Sequence, residues 1–140
     1  MTAAGIAALV FTVVLLVTTG YFIMGGLPLL TLQHDTPVDQ RFIRRFFDIY
    51  YKAAVFAAVG ASFSYALWGR FYFAMGAAAL ALLALAMRRR VIPAMEQLGA
   101  EIQQRNDTAV QAFRRVHSAA LGVNLLQLVA LVWGLTKVSL

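Results

Sequence analysis

Residues 1–26, MTAAGIAALVFTVVLLVTTGYFIMGG, carry no charged side chain. The apolar run from Ala3 to Met24 is too long for the h-region of a signal peptide, and no basic n-region precedes it. It reads as a retained membrane-spanning helix, since crossing the hydrocarbon takes roughly 20 apolar residues. The rest of the chain repeats that signal. With this first stretch at about 3–27, others at about 46–68, 71–87 and 116–136 give four spans.

Composition points the same way. Of 140 residues, 61% are hydrophobic and 13% charged, with a mean hydropathy of +0.75. A soluble domain is about half apolar and about a quarter charged. The absence of cysteine excludes disulfides, thiolate metal sites and cysteine nucleophiles. No solenoid repeat or low-complexity linker divides the chain, so residues 1–140 form one four-span domain.

The turn WGR at 68–70 joins the second and third spans too tightly for anything but an antiparallel hairpin. The expected fold is therefore all-α: an up-down-up-down four-helix transmembrane bundle. TPVD at 36–39 starts the second helix before its span, with Thr36 as N-cap, Pro37 at the first position and Asp39 in the first turn. TAVQ at 108–111 suggests a capping box from Thr108 and Gln111 for the fourth. Ile92, Met95, Leu98 and Ile102 recur at helical spacing, so the third helix runs on past Arg90, with Pro93 a candidate kink.

Charge sets the orientation. Arg41, Arg44, Arg45, Arg88, Arg89, Arg90, Arg105, Arg114 and Arg115 all lie at the end holding segments 31–45 and 88–115. Only Arg70 and Lys137 lie at the other end, and Lys52 sits in the membrane half nearest the arginines. The positive-inside rule places both loops in the cytoplasm and both termini outside a cell membrane, with helices two, three and four extending into the cytoplasm. The six acids lie on or near the arginine side and partly offset it. That mixture, without a basic patch interleaved with aromatics, argues against nucleic acid as a partner.

Three polar constellations fall inside this apolar frame. Arg45, Asp48 and Lys52 share one face of helix two. They are either an ion pair that lets Lys52 snorkel to the headgroups or a charged lining for a cytoplasm-facing pocket. Tyr50 and Tyr51 beside them suit an interfacial aromatic belt. His117, Asn124 and Gln127, spaced by seven and three, form a stripe on helix four. This stripe is either interhelical hydrogen bonding or the polar floor of a pocket with His117 at its mouth. His34, in a loop beside Asp35, is expected to be solvated. With no Glu-x-x-His and no His-x-x-x-His on one helix, no metal site is assigned, and a bis-histidine haem would need both rings to converge across the bundle. Gly25, Gly26 and Pro28 either break the first helix beside His34 or simply end the span.

VIPAMEQL after the third span and AFRRVHSAALGVNLLQL in the fourth carry a resemblance. The pattern resembles the four-helix membrane family that includes the eukaryotic transmembrane protein linked to cisplatin resistance, and the related anthrone-oxygenase-like membrane family. In those proteins a Pro follows the third span and a Phe-x-x-x-His precedes an Asn in the fourth. The matching positions are Pro93, Phe113, His117 and Asn124, with GLPLL at 26–30 a fainter echo. The Asn expected shortly before Pro93 is replaced by the run Arg88 to Arg90. The resemblance implies the four-helix membrane fold.

Three functional classes remain open. One is a lipid-embedded protein binding a small amphiphilic or anionic molecule at a cytoplasm-facing intramembrane site built from His117, Asn124, Gln127, Lys52 and Asp48. The second is a small membrane oxygenase or other enzyme using His117. The third is a structural subunit of a membrane complex. Four spans make a thin bundle, which a homodimer would thicken.

Overall fold

The computed structural model describes residues 1–138. It contains four helices: α1 (Ala3–Leu29), α2 (Pro37–Leu67), α3 (Phe71–Gln103) and α4 (Asp107–Lys137). Each is long and apolar enough to cross a membrane. At 1.5 Å per residue, the 31 to 33 residues of α2, α3 and α4 exceed what a hydrocarbon core of roughly 30 Å needs.

The caps follow local chemistry. The Thr2 hydroxyl accepts from Gly5 N–H at 3.1 Å, and the Thr36 hydroxyl accepts from Asp39 N–H at 3.2 Å. Gly69, at φ +78°, supplies the left-handed residue of the α2–α3 turn. α4 departs from the expected capping box. Asn106 is its N-cap, accepting from Thr108 N–H at 3.3 Å and from the Thr108 hydroxyl at 2.7 Å. Thr108 therefore cannot act as the cap, and Asp107 takes the first turn, where a carboxylate suits the helix dipole. Pro93 lies inside α3, which runs without interruption to Gln103. Likewise α1 continues through Gly25 and Gly26 and ends only after Pro28.

The helices pack as a ring in chain order, α1 on α2, α2 on α3, α3 on α4 and α4 on α1. α2 and α4 therefore stand across the diagonal. The buried residues of α1 are Gly5, Ala8, Thr12, Leu15, Thr19, Phe22 and Gly26, alternating by three and four. That is the seam of a left-handed bundle. α3 repeats it with Ala74, Ala77, Ala81 and Ala84, against Ala54, Ala57, Ala58 and Ala61 of α2. Small facing side chains allow close backbone approach. α2–α3 is accordingly the most extensive contact in the ring.

The surface is apolar and the interior partly polar. Val10, Val17, Tyr21, Phe56, Phe63, Met75, Leu126 and Trp133 are exposed, while Thr12, Thr19, His34, Gln40, Ser64, His117, Asn124 and Gln127 are buried. Water would select against so broad an apolar exterior, whereas lipid accepts it.

Candidate functional site

The buried polar residues stand at three levels along the axis. The first is at the loop end. The last four carbonyls of a helix lack intrahelical donors. In α1, Leu27 O accepts from Leu30 N–H, Pro28 O from Thr31 N–H and its hydroxyl, and Leu29 O from Leu32 N–H. The Gly26 carbonyl is met instead by His117 Nε2 of α4, at 3.1 Å. A carbonyl only accepts, so Nε2 of His117 carries its proton and Nδ1 is the acceptor. That Nδ1 lies 3.1 Å from Nε2 of His34, which must then be the donor. Gly26 also leaves room for Leu121 of α4, since a Cβ there would stand 2.5 Å from Leu121 Cδ2.

His34 is fully buried, not solvated as expected. Three contacts hold it: its ring on His117, its ring beside Phe113 at 5.7 Å, and its carbonyl accepting from Gln40 Nε2 at 3.1 Å. Its φ of +63° is a left-handed conformation, the bend that turns the ring into the bundle. The two histidines do converge across the bundle, but they bond to each other instead of pointing at a common centre. No group of three or more His, Cys, Asp or Glu that could hold a metal occurs among the described residues. Burial lowers the proton affinity of His34 below the ordinary histidine value. The Leu32 carbonyl, Asp39 and Asp35 raise it in part, and Arg114 lowers it further.

The second level lies deeper and joins three helices. The Tyr50 hydroxyl of α2 donates to Asn124 Oδ1 at 2.7 Å, across the diagonal. Asn124 Nδ2 donates to the Ala120 carbonyl at 2.8 Å. Gln127 Nε2 reaches Thr19 Oγ1 of α1 at 3.3 Å and the Tyr50 oxygen at 3.4 Å. Phe22 stacks on Tyr50 with centroids 4.0 Å apart. The third level is the pair of Thr12 and Tyr65, 3.1 Å apart.

The structure thus brings His117, Asn124 and Gln127 onto the inner face of α4 and leaves Asp48 and Lys52 elsewhere. Asp48 binds Lys52 at 2.7 Å and Arg88 of α3 at 2.8 Å, and the Lys52 side chain is 62% exposed. Asp48 faces α3, whereas His117 faces α1 and the loop. The expected single cluster of Lys52, Asp48 and His117 therefore does not form. Lys52 is a largely exposed cation whose ammonium pairs with Asp48 one turn earlier.

Sequence reasoning missed Tyr50, read as suiting an interfacial aromatic belt, and gave no role to Thr19 or to the Gly26 carbonyl. The spacing of Gly5, Thr12, Thr19 and Gly26 by seven was the available signal. It places all four on one seam.

Two cavities accompany these residues, and neither is lined by His117, Asn124, Gln127, Lys52 or Asp48. A groove of about 200 Å³ lies between the start of α2 and the end of α3, where Arg44 and Glu96 pair at 3.1 Å. A cavity of about 400 Å³ lies at the opposite end, between α3 and α4. Its floor is Thr12, Leu15, Ala61 and Tyr65, and its walls include Phe73, Ala77, Leu80 and Leu131. Tyr72, Gly76, Ala130 and Trp133 on the rim are exposed, so it opens sideways. Lys137 stands at its mouth.

Fold and interior together define the class: an all-helical bundle of four apolar helices of membrane-spanning length, closed by polar side chains at its centre. Comparison with protein-family models, with curated proteins and with solved structures finds no match.

Proposed function

We propose that the protein is a multi-pass membrane protein that binds a small amphiphilic molecule in the cavity between α3 and α4, with both loops cytoplasmic and both termini outside. The nine arginines at the loop end support that orientation. The observation that carries the binding reading is the cavity itself. Its volume of about 400 Å³ falls in the range of small-ligand sites, roughly 300–1,000 Å³. Its walls are apolar, its floor carries the Thr12–Tyr65 hydroxyl pair and its mouth carries a cation. That combination suits an apolar chain with an anionic head, taken from the bilayer through the lateral opening.

This reading moves the ligand from the cytoplasm-facing site suggested by the sequence to the other end of the bundle. The reason is that Asn124 spends both side-chain polar atoms on Tyr50 and Ala120, and Gln127 spends its Nε2 on Thr19 and Tyr50. The four-helix families that the Pro93, Phe113, His117 and Asn124 pattern resembles remain part of the proposal.

Tryptophan fluorescence tests it. A Trp68→Phe protein in mild detergent leaves Trp133, on the cavity rim, as sole emitter. A brominated long-chain fatty acid should quench it saturably, and the unbrominated acid should restore emission. Gly76→Leu should weaken the quenching, because Gly76 lies on the cavity rim and a Cβ there meets nothing within 4 Å, leaving room for a side chain that narrows the opening. Quenching that never saturates and is equal in Gly76→Leu would overturn the reading.

A further inference from the structure

We propose that His34 and His117 form a binding site for one proton, taken up at Nδ1 of His34 at the loop end of the bundle. Two neutral imidazoles carry two ring protons. One is committed to the Gly26 carbonyl by His117 Nε2. The other is committed to the bond from His34 Nε2 to His117 Nδ1. That leaves Nδ1 of His34 bare, fully buried and without a hydrogen bond.

A bare Nδ1 cannot bond a carbonyl, since both are acceptors. The Leu32 carbonyl nevertheless stands where it raises the proton affinity of this ring. A third proton on Nδ1 therefore gains an acceptor at once. It disturbs neither existing bond, and it makes the inter-ring N–H···N bond charge-assisted and stronger. A fourth proton would have to enter at Nδ1 of His117. Two N–H groups would then oppose each other, and the link would break. The capacity of the pair is one.

The surroundings set when it fills. Arg114 of α4 donates to the Leu32 carbonyl at 3.1 Å and opposes a charge on His34, as burial does. Asp35 of the loop and Asp39 of α2 favour one. α1 carries no charged residue. On α3, Arg88 is held by Asp48 and Glu96 by Arg44, both on the α2 side. Net occupancy therefore develops below the ordinary histidine range. An ionisable pair inside a membrane bundle is costly and marks function by default. Here it also ties loop 30–36, through His34, to α1 and α4.

Nitrogen NMR of the full chain in detergent, labelled at its two histidines, tests the site. At pH 8 the spectrum should show one bare nitrogen, one hydrogen-bonded acceptor nitrogen, and a coupling across the inter-ring bond. On acidification the bare signal should vanish first, below pH about 6.5, while the coupling persists. The coupling should disappear only in a second step at lower pH. His34→Gln assigns the rings, and Gln40→Ala, which frees the loop without touching either ring, should raise the pH of the first step. Two rings titrating independently near pH 6.5, or no inter-ring coupling at pH 8, would overturn the proposal.

Discussion

The two ends of this bundle share one packing rule and reach opposite results. At the loop end the seam positions hold Phe22, Phe47, Tyr50, Phe113, His117 and Asn124. Their rings fill the space between helices and their polar atoms find each other across it. At the other end the same seams hold Gly5, Ala8, Ala61, Ala74 and Ala77. α1, α2 and α3 pack together there, no α4 residue joins their cluster, and the cavity remains between α3 and α4. Side-chain volume on a constant seam decides which end is sealed. In lipid this matters more than in water, because association rests on packing and hydrogen bonds instead of hydrophobic transfer.

Breaking the sealed end should cost the most. His117→Leu strands both the Gly26 carbonyl and His34 Nε2–H. Each buried unpaired group costs about 1–3 kcal/mol, so for the two a loss of about 2–6 kcal/mol is expected in denaturant titration of the detergent-solubilised protein. Tyr50→Phe removes the hydroxyl that Asn124, Gln127 and Thr19 share. Its loss should be roughly 1 kcal/mol, near the upper part of what single membrane hydrogen bonds contribute.

Acid should lower the stability of the fold as well, even while the inter-ring bond persists. Because burial holds the proton affinity of His34 below its ordinary value, the fold favours the neutral ring. The stability from this group is complete above pH about 6.5 and falls as pH drops below that toward the lower folded value. Unfolding measured from pH 8 to pH 5 should show that slope in the native chain and a shallower one in His34→Gln. An identical slope in both would remove His34 from the account.

The smallest effect is expected outside the seam. Lys52→Met removes a largely exposed partner of Asp48 while Arg88 remains. Less than about 1 kcal/mol should be lost. A loss as large as that of His117→Leu would place Lys52 in the interior after all.

How much of this was legible in the sequence divides along the same line. The four helices and the hairpin at 68–70 followed from runs of apolar residues, which need only composition and length. The inward stripe of His117, Asn124 and Gln127 followed from spacing on one helix. What periodicity cannot name is the partner on another helix. Tyr50 reads equally well as an interfacial ring, and only its position across the diagonal from Asn124 makes it a donor. His34 was harder still. Its burial depends on a left-handed backbone and on Gln40 holding its carbonyl, neither of which has a sequence signature. The cavity was invisible for a further reason: its lining is assembled from four helices at once, and no single helix carries its pattern.

The most direct test makes one chemical change at both ends. Gly26 and Gly76 both lie in helices, but a Cβ at Gly26 meets Leu121 at 2.5 Å, whereas one at Gly76 meets nothing within 4 Å. Unfolding free energies of Gly26→Leu and Gly76→Leu, measured side by side, should therefore separate. The account predicts a loss of about 1–3 kcal/mol or more at Gly26, where overpacking forces α1 off α4. It predicts no loss, or a slight gain, at Gly76 on the cavity rim, where an added side chain meets open space. Equal losses at both positions would contradict a bundle that is sealed at one end and open at the other.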